Sequence, residues 1–149
     1  SSLAELVAYN ETYADTVMPV FDQSIFLQAE AKGPLTEQAY LDALNTSKRV
    51  ATTGIDAAFE EYALDALIAP TNGPAWVIDH VNGDHYGISS STLAAVSGYP
   101  AITVPAGFVA GLPIGVSFIA KAWNEKQLIE IAYAFEQATE ARRAPTLAP

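Results

Sequence analysis

Three serines, two aspartates and two histidines crowd into one short stretch, and their types invite three kinds of chemistry. Ser89, Ser90 and Ser91 follow closely on Asp84 and His85, the residue types of a triad in which imidazole takes a hydroxyl proton. Proximity in sequence argues against it, because such triads are assembled from distant segments. The local string GISSS also lacks the second glycine of the turn that exposes a nucleophile. Capping of a helix that starts near Thr92, with bonds to loop backbone, is the competing reading. Asp79, His80, Asp84 and His85 offer imidazole and carboxylate ligands for zinc or manganese. Two histidines five apart in a loop do not match the i, i+4 pair of a helical metal site, so bonding within the loop is preferred. A lysine base must be buried to be neutral. Lys32 adjoins Gly33 and Pro34, Lys48 adjoins Arg49, Lys121 follows a strand-like run, and Lys126 lies in a Glu-rich first turn, so each reads as solvated surface.

These residues must be positioned by the elements around them. Ser2 and Glu5 make a capping-box pattern that opens a helix reaching towards Met18 and Pro19. A short helical turn with loops is expected between Pro19 and Pro34. Thr36 is placed as an N-cap, with Leu35 and Tyr40 as a hydrophobic staple, for a helix that reaches towards Tyr62 and is weakened at Thr52, Thr53 and Gly54. Ala66 to Ala69 has the length of a buried strand. It delivers a long aperiodic loop, Asn72 to His85, of the kind that lines something. A helix over Ser91 to Val96 is closed by Gly98. Ala101 to Val104 and Ile114 to Ile119 are strand-like and can pair antiparallel, joined by a turn built from Gly107, Gly111 and Pro113. Asn124 and Gln127 open a last helix with Leu128, Ile131, Ala132 and Phe135 on one face. The order predicts an α/β fold in which helices cover a mixed β-sheet, in a single domain over 1–149.

Composition narrows the class of function. The 149 residues are 50% hydrophobic, enough for a core. A net charge of -10, from 17 acidic and 7 basic residues, opposes phosphate backbones and anionic lipid, so neither nucleic acid nor membrane is an expected partner. No apolar run approaches the roughly 20 residues that span a bilayer, and the opening SSLAELVAYNE lacks the order of a signal peptide. The cytoplasm is favoured. Zero cysteine excludes disulfides and thiolate chemistry. The sequons at Asn10 and Asn45 fall in expected helices and are read as chance.

One string organises the rest. SGYPAITVPAGFVAGLPIGVSFIA, from Ser97 to Ala120, is preceded by ALIAPTNGPAW and VNGDH and followed by NEKQLIEIAYAFEQAT. Together these resemble the carboxyl-terminal portion of an amidase signature hydrolase, nearest in look to bacterial amidases of the peptide amidase type. The resemblance implies one large sheet between helices, of which this chain is the later part. It also implies amide hydrolysis by a serine nucleophile, a second serine on a cis peptide and a lysine base, all on polypeptide that precedes this segment. GISSSTLAA mimics the family's glycine and serine rich signature but continues as TLAAVSGYPAITVP, the family's later segment, so no catalytic residue is assigned here. No cofactor or metal is implied.

Because such amidases border their pocket with loops of this kind, Trp76, Asn82, Asp84, His85 and Tyr86 are taken as the substrate-facing set. The rings suit an apolar acyl group, while Asn82 or Asp84 suits an amide or amine. The expected partners are a small amide or peptide amide and the missing amino-terminal catalytic half, with self-association through uncovered sheet. A non-catalytic binding or assembly module, or relic of the family, is the alternative. An amidotransferase glutaminase ranks behind both.

Overall fold

The computed structural model describes residues 2–146. They form two compact units, Ser1–Leu44 and Asn45–Pro149, whose boundary falls inside one helix.

The first unit is helical. Ser2 accepts from the Glu5 amide at 3.2 Å and the Glu5 carboxylate accepts from the Ser2 amide at 2.8 Å, the reciprocal cap that starts α1, Leu3–Thr12. The continuous helix expected up to Met18 breaks at Tyr13, whose ψ of 29° leaves the helical region, and a single turn, α2 (Ala14–Val17), follows. Helix α3 is Ser24–Glu30. Buried Gln23 ties α1 to the start of α3: its Nε2 donates to the Val7 carbonyl at 3.2 Å and its Oε1 accepts from Asn10 Nδ2 at 3.1 Å. Every buried apolar side chain among the described residues lies in the other unit. Phe21, Ile25 and Leu35 are mostly exposed, so the first unit has apolar surface without an apolar core.

Helix α4, Gln38–Tyr62, starts one residue later than a Thr36 cap would place it. Its first carbonyl bond, from the Leu41 amide at 3.1 Å, goes to Glu37. Thr52, Thr53 and Gly54 do not interrupt it, because Thr52 Oγ1 satisfies itself on the Lys48 and Arg49 carbonyls one turn back, at 3.0 and 3.2 Å. The second half of α4 buries Ile55 and Phe59. Tyr99 clamps it by donating to the Asp56 carboxylate, 2.9 Å from each oxygen. Desolvation, and then that carboxylate, raise the Tyr99 pKa.

Strands β1 (Leu67–Pro70), β2 (Ala101–Val109) and β3 (Leu112–Ile119) form a sheet in the order β1-β3-β2, with both pairings antiparallel. Helix α5, Ser91–Ser97, precedes β2 and ends on Gly98 at φ 77°, the left-handed cap its glycine permits. The β2–β3 hairpin differs from its expected form. Its loop is only Ala110 and Gly111, at φ 49° and 81°, as in a mirror-image two-residue turn. Gly107 lies inside β2 at a bulge, where the register moves from Pro105↔Gly115 to Gly107↔Ile114, and Pro113 is paired with Phe108. The bulge lets β2 continue past Pro105, which an edge strand tolerates.

The alternation of the strands decides the layers. Ile102, Val104, Val116 and Phe118 share one face, and α6 (Glu125–Thr139) covers it with Leu128, Ile131, Ala132 and Phe135. That is the helix face read from the sequence, and the layering is the expected α/β arrangement of helices over a sheet. Thr103, Gly115 and Ser117 point to the opposite face.

Candidate functional site

The loop between β1 and α5 is anchored at its base by a short ladder. The Thr71 amide donates to the Gly115 carbonyl at 2.9 Å, the Gly73 amide to the Ile88 carbonyl at 3.1 Å, and the Ser90 amide to the Thr71 carbonyl at 3.3 Å. Asn72 and Ser89 form an isolated bridge. The loop is therefore a long excursion whose ends meet at the sheet, the form of a binding loop held on a rigid base.

Within the excursion the five residues expected to face substrate fall into two groups. Trp76 Nε1 donates to the Asp84 carboxylate, and the Trp76 ring meets that of Tyr86 edge to face, with centroids 6.1 Å apart and planes at 81°. Asn82 and His85 gather instead around Asp79. Asp79 Oδ1 accepts from the Val81 and Asn82 amides, both at 2.8 Å; Oδ2 accepts from Asn82 Nδ2 at 2.9 Å and faces His85 Nε2 at 3.6 Å. Gly83, at φ 87°, turns the chain between the groups.

Asp79 is thus the organising residue of the loop. The Asn82 amide and side chain, then the Val81 amide, hold its carboxyl down at about 2 by bonding its charged form. A depressed carboxyl contributes stability above its unfolded value near 3.8 and loses it as pH falls through 2. The turn at Val81 and Asn82 is therefore expected to persist at pH 4 and open progressively towards pH 2, while Asp79→Ala opens it at neutral pH. Amide hydrogen exchange at Val81 and Asn82 reads both. Protection that survives Asp79→Ala would show that the carboxylate does not hold the turn.

The serines do not assemble a triad. Ser89 Oγ and Ser91 Oγ bond each other at 3.1 Å, Ser90 Oγ reaches the Thr71 carbonyl at 3.5 Å, and His85 is turned to Asp79. Ser90 holds the N-cap position of α5 without a side-chain cap bond, and the Ser91 amide at the start of the helix donates instead to Ser89 Oγ at 3.4 Å. Lys121 and Lys126 pair with Glu60 at 3.5 Å and Glu130 at 2.6 Å on the surface. Among the described residues no group of three or more His, Asp or Glu side chains stands close enough to hold a metal ion. No described helix is long and apolar enough to cross a membrane.

One polar cluster escaped the sequence reading. Thr71, Thr103 and Ser117, from three segments, bring their hydroxyls together on the sheet face away from α6: Ser117 Oγ lies 2.8 Å from Thr71 Oγ1 and 2.9 Å from Thr103 Oγ1. Gly115 makes room for them, since a Cβ there would meet Thr71 Oγ1 and Thr103 Cγ2 at 2.9 Å. The signal was present as a single hydroxyl interrupting each apolar run, ITV and GVSFI. The trio fixes where the loop leaves the sheet.

Comparison with known proteins agrees with this architecture. A family profile described as Amidase matches residues 4–129. A probable amidase of Arabidopsis thaliana is 38% identical over 146 residues, which is 97% of this chain and 25% of that protein. A subunit of the glutamyl-tRNA(Gln) amidotransferase of Lysinibacillus sphaericus is 31% identical over 137 residues, 89% of this chain and 28% of that one. The native peptide amidase of Stenotrophomonas maltophilia superposes with a TM-score of 0.87 at 42% identity, over 97% of this chain and 29% of that structure. The chain belongs to the amidase signature family and is peptide amidase-like. It spans between a quarter and a third of the length of these relatives.

Proposed function

We infer that this chain serves as the carboxyl-terminal portion of an amidase that cleaves carboxamide C–N bonds, supplying sheet scaffold and one wall of the substrate pocket. The observation that carries this reading is the match along nearly all of the chain to under a third of a peptide amidase. Two features support it. The serine hydroxyls are spent on one another and on loop backbone, and the His85 imidazole is turned to Asp79. The first unit exposes apolar side chains that a larger body would cover. The nucleophilic serine, its partner serine and the lysine base then belong to a separate amino-terminal portion, and a small amide or peptide amide is the substrate. Trp76, Asn82, Asp84, His85 and Tyr86 form the wall, with Asp79 setting its shape. Without that portion, self-association through the exposed surface is expected.

A chimera tests this. With this chain in place of the matched segment of the Stenotrophomonas peptide amidase, release of ammonia from peptide amides is expected, while the 149-residue chain alone releases none above a buffer blank. Enzyme-like turnover by the chain alone, abolished in a Ser89, Ser90, Ser91 triple alanine, would overturn the assignment. A chimera that folds and stays inactive would favour the non-catalytic module.

A further inference from the structure

Resting on the reading of this loop as pocket wall, we propose that the corner formed by Trp76 and Tyr86, with the Asp84 carboxylate on the indole N–H, is a cation subsite that takes the guanidinium or ammonium group of a basic amide substrate. Two aromatic planes at 81°, with centroids 6.1 Å apart, leave parts of their faces open to one approaching group, and Tyr86 is 62% exposed. Such faces carry negative potential and attract cations, Trp most strongly. The bond from Trp76 Nε1 to the Asp84 carboxylate adds to this, because a charged acceptor on the N–H pushes electron density into the ring. The same bond fixes the indole in place, so little side-chain freedom remains to be lost on binding.

The charge of the loop points the same way. Thr71 to Ser90 contains Asp79 and Asp84 but neither lysine nor arginine, so the cationic groups it can carry are limited to its own two histidines. His85 faces Asp79 at 3.6 Å. At neutral pH the excursion therefore presents net negative charge beside two rings, within a chain that is itself strongly acidic. Aromatic surface alone would serve leucine or phenylalanine equally well. The carboxylates discriminate, favouring a basic residue and repelling an acidic one.

The test uses the whole chain and three neutral-backbone probes: the N-acetyl amides of arginine, leucine and glutamate. The indole N–H resonance of Trp76, assigned by its loss in Trp76→Phe and distinct from that of Trp123, reports occupancy. The arginine amide is expected to shift it with a Kd roughly fivefold below that of the leucine amide, the yield of a part-exposed cation–π contact. The glutamate amide is expected to bind most weakly, and added salt to narrow the spread. Tyr86→Leu and Asp84→Asn should each erase the preference for arginine. Equal binding of the arginine and leucine amides would defeat the cation subsite and leave the pocket-wall reading standing. If none of the three probes moves Trp76, both readings fall.

Discussion

Phe118→Ala is expected to lower the stability of the sheet unit by about 3–5 kcal/mol, the cost of truncating a buried phenylalanine that the surroundings cannot refill. Phe118 is 5% exposed, lies opposite Ile102 and Ile68 on the two neighbouring strands, and packs its ring edge to face on Phe135 of α6 at 5.7 Å. The substitution therefore removes contacts from all three strands and the covering helix together. Domains have only ~5–15 kcal/mol to lose, so a large drop in the urea midpoint, or loss of the fold at 37 °C, is the expected reading. Ile68→Ala is the control. It sits on the same face but is 62% exposed, and a change within about 0.5 kcal/mol is expected there. Equal losses at the two positions would mean that the core does not lie between β3 and α6.

Gly115→Ala is expected to cost about 1–3 kcal/mol by overpacking rather than by a cavity. The added methyl would stand 2.9 Å from both Thr103 Cγ2 and Thr71 Oγ1 and 3.3 Å from Thr71 Cβ, closer than carbon atoms tolerate. Relief requires the threonines to move, which breaks the hydroxyl trio and shifts the point where the loop departs from β1. Removing the opposing methyl in Gly115→Ala with Thr103→Ser should recover part of the loss, a coupling that a double-mutant cycle isolates. An unchanged urea midpoint in the single variant would remove the close approach from the account. A loss that the double variant does not reduce would place the strain elsewhere.

Much of the fold was legible along the chain because its signals are local. The Ser2 and Glu5 cap, the glycine that ends α5, the apolar face of α6 and the two β-branched runs of the hairpin each depend on residues within a turn or two of one another. Where local signals competed, the reading slipped. Three glycine or proline positions looked like one turn, yet the twist of an antiparallel pair selects a two-residue loop at Ala110 and Gly111 and turns Gly107 into a bulge. Thr52 and Gly54 looked like breakers, but bonds to carbonyls one turn back and burial of Ile55 and Phe59 outweigh weak propensity.

The chemistry of the loop was legible only as a region. Asp79, Asp84, His80, His85 and the serines stand in one aperiodic stretch, and sequence supplied their types, their acidity and the resemblance to amidases. Pairing was settled by folding. Asp84 went to the indole of Trp76, Asp79 to the turn at Asn82 and to His85, and the serines to Thr71 and to one another. Thr71, Thr103 and Ser117 are separated by up to 46 positions and meet only because β3 lies between the other two strands. Periodicity and capping are written in neighbouring residues, so the letters alone determined the elements and the family. A hydrogen bond between distant groups exists only once the chain has closed on itself, so the tertiary structure decided which side chains are spent on one another.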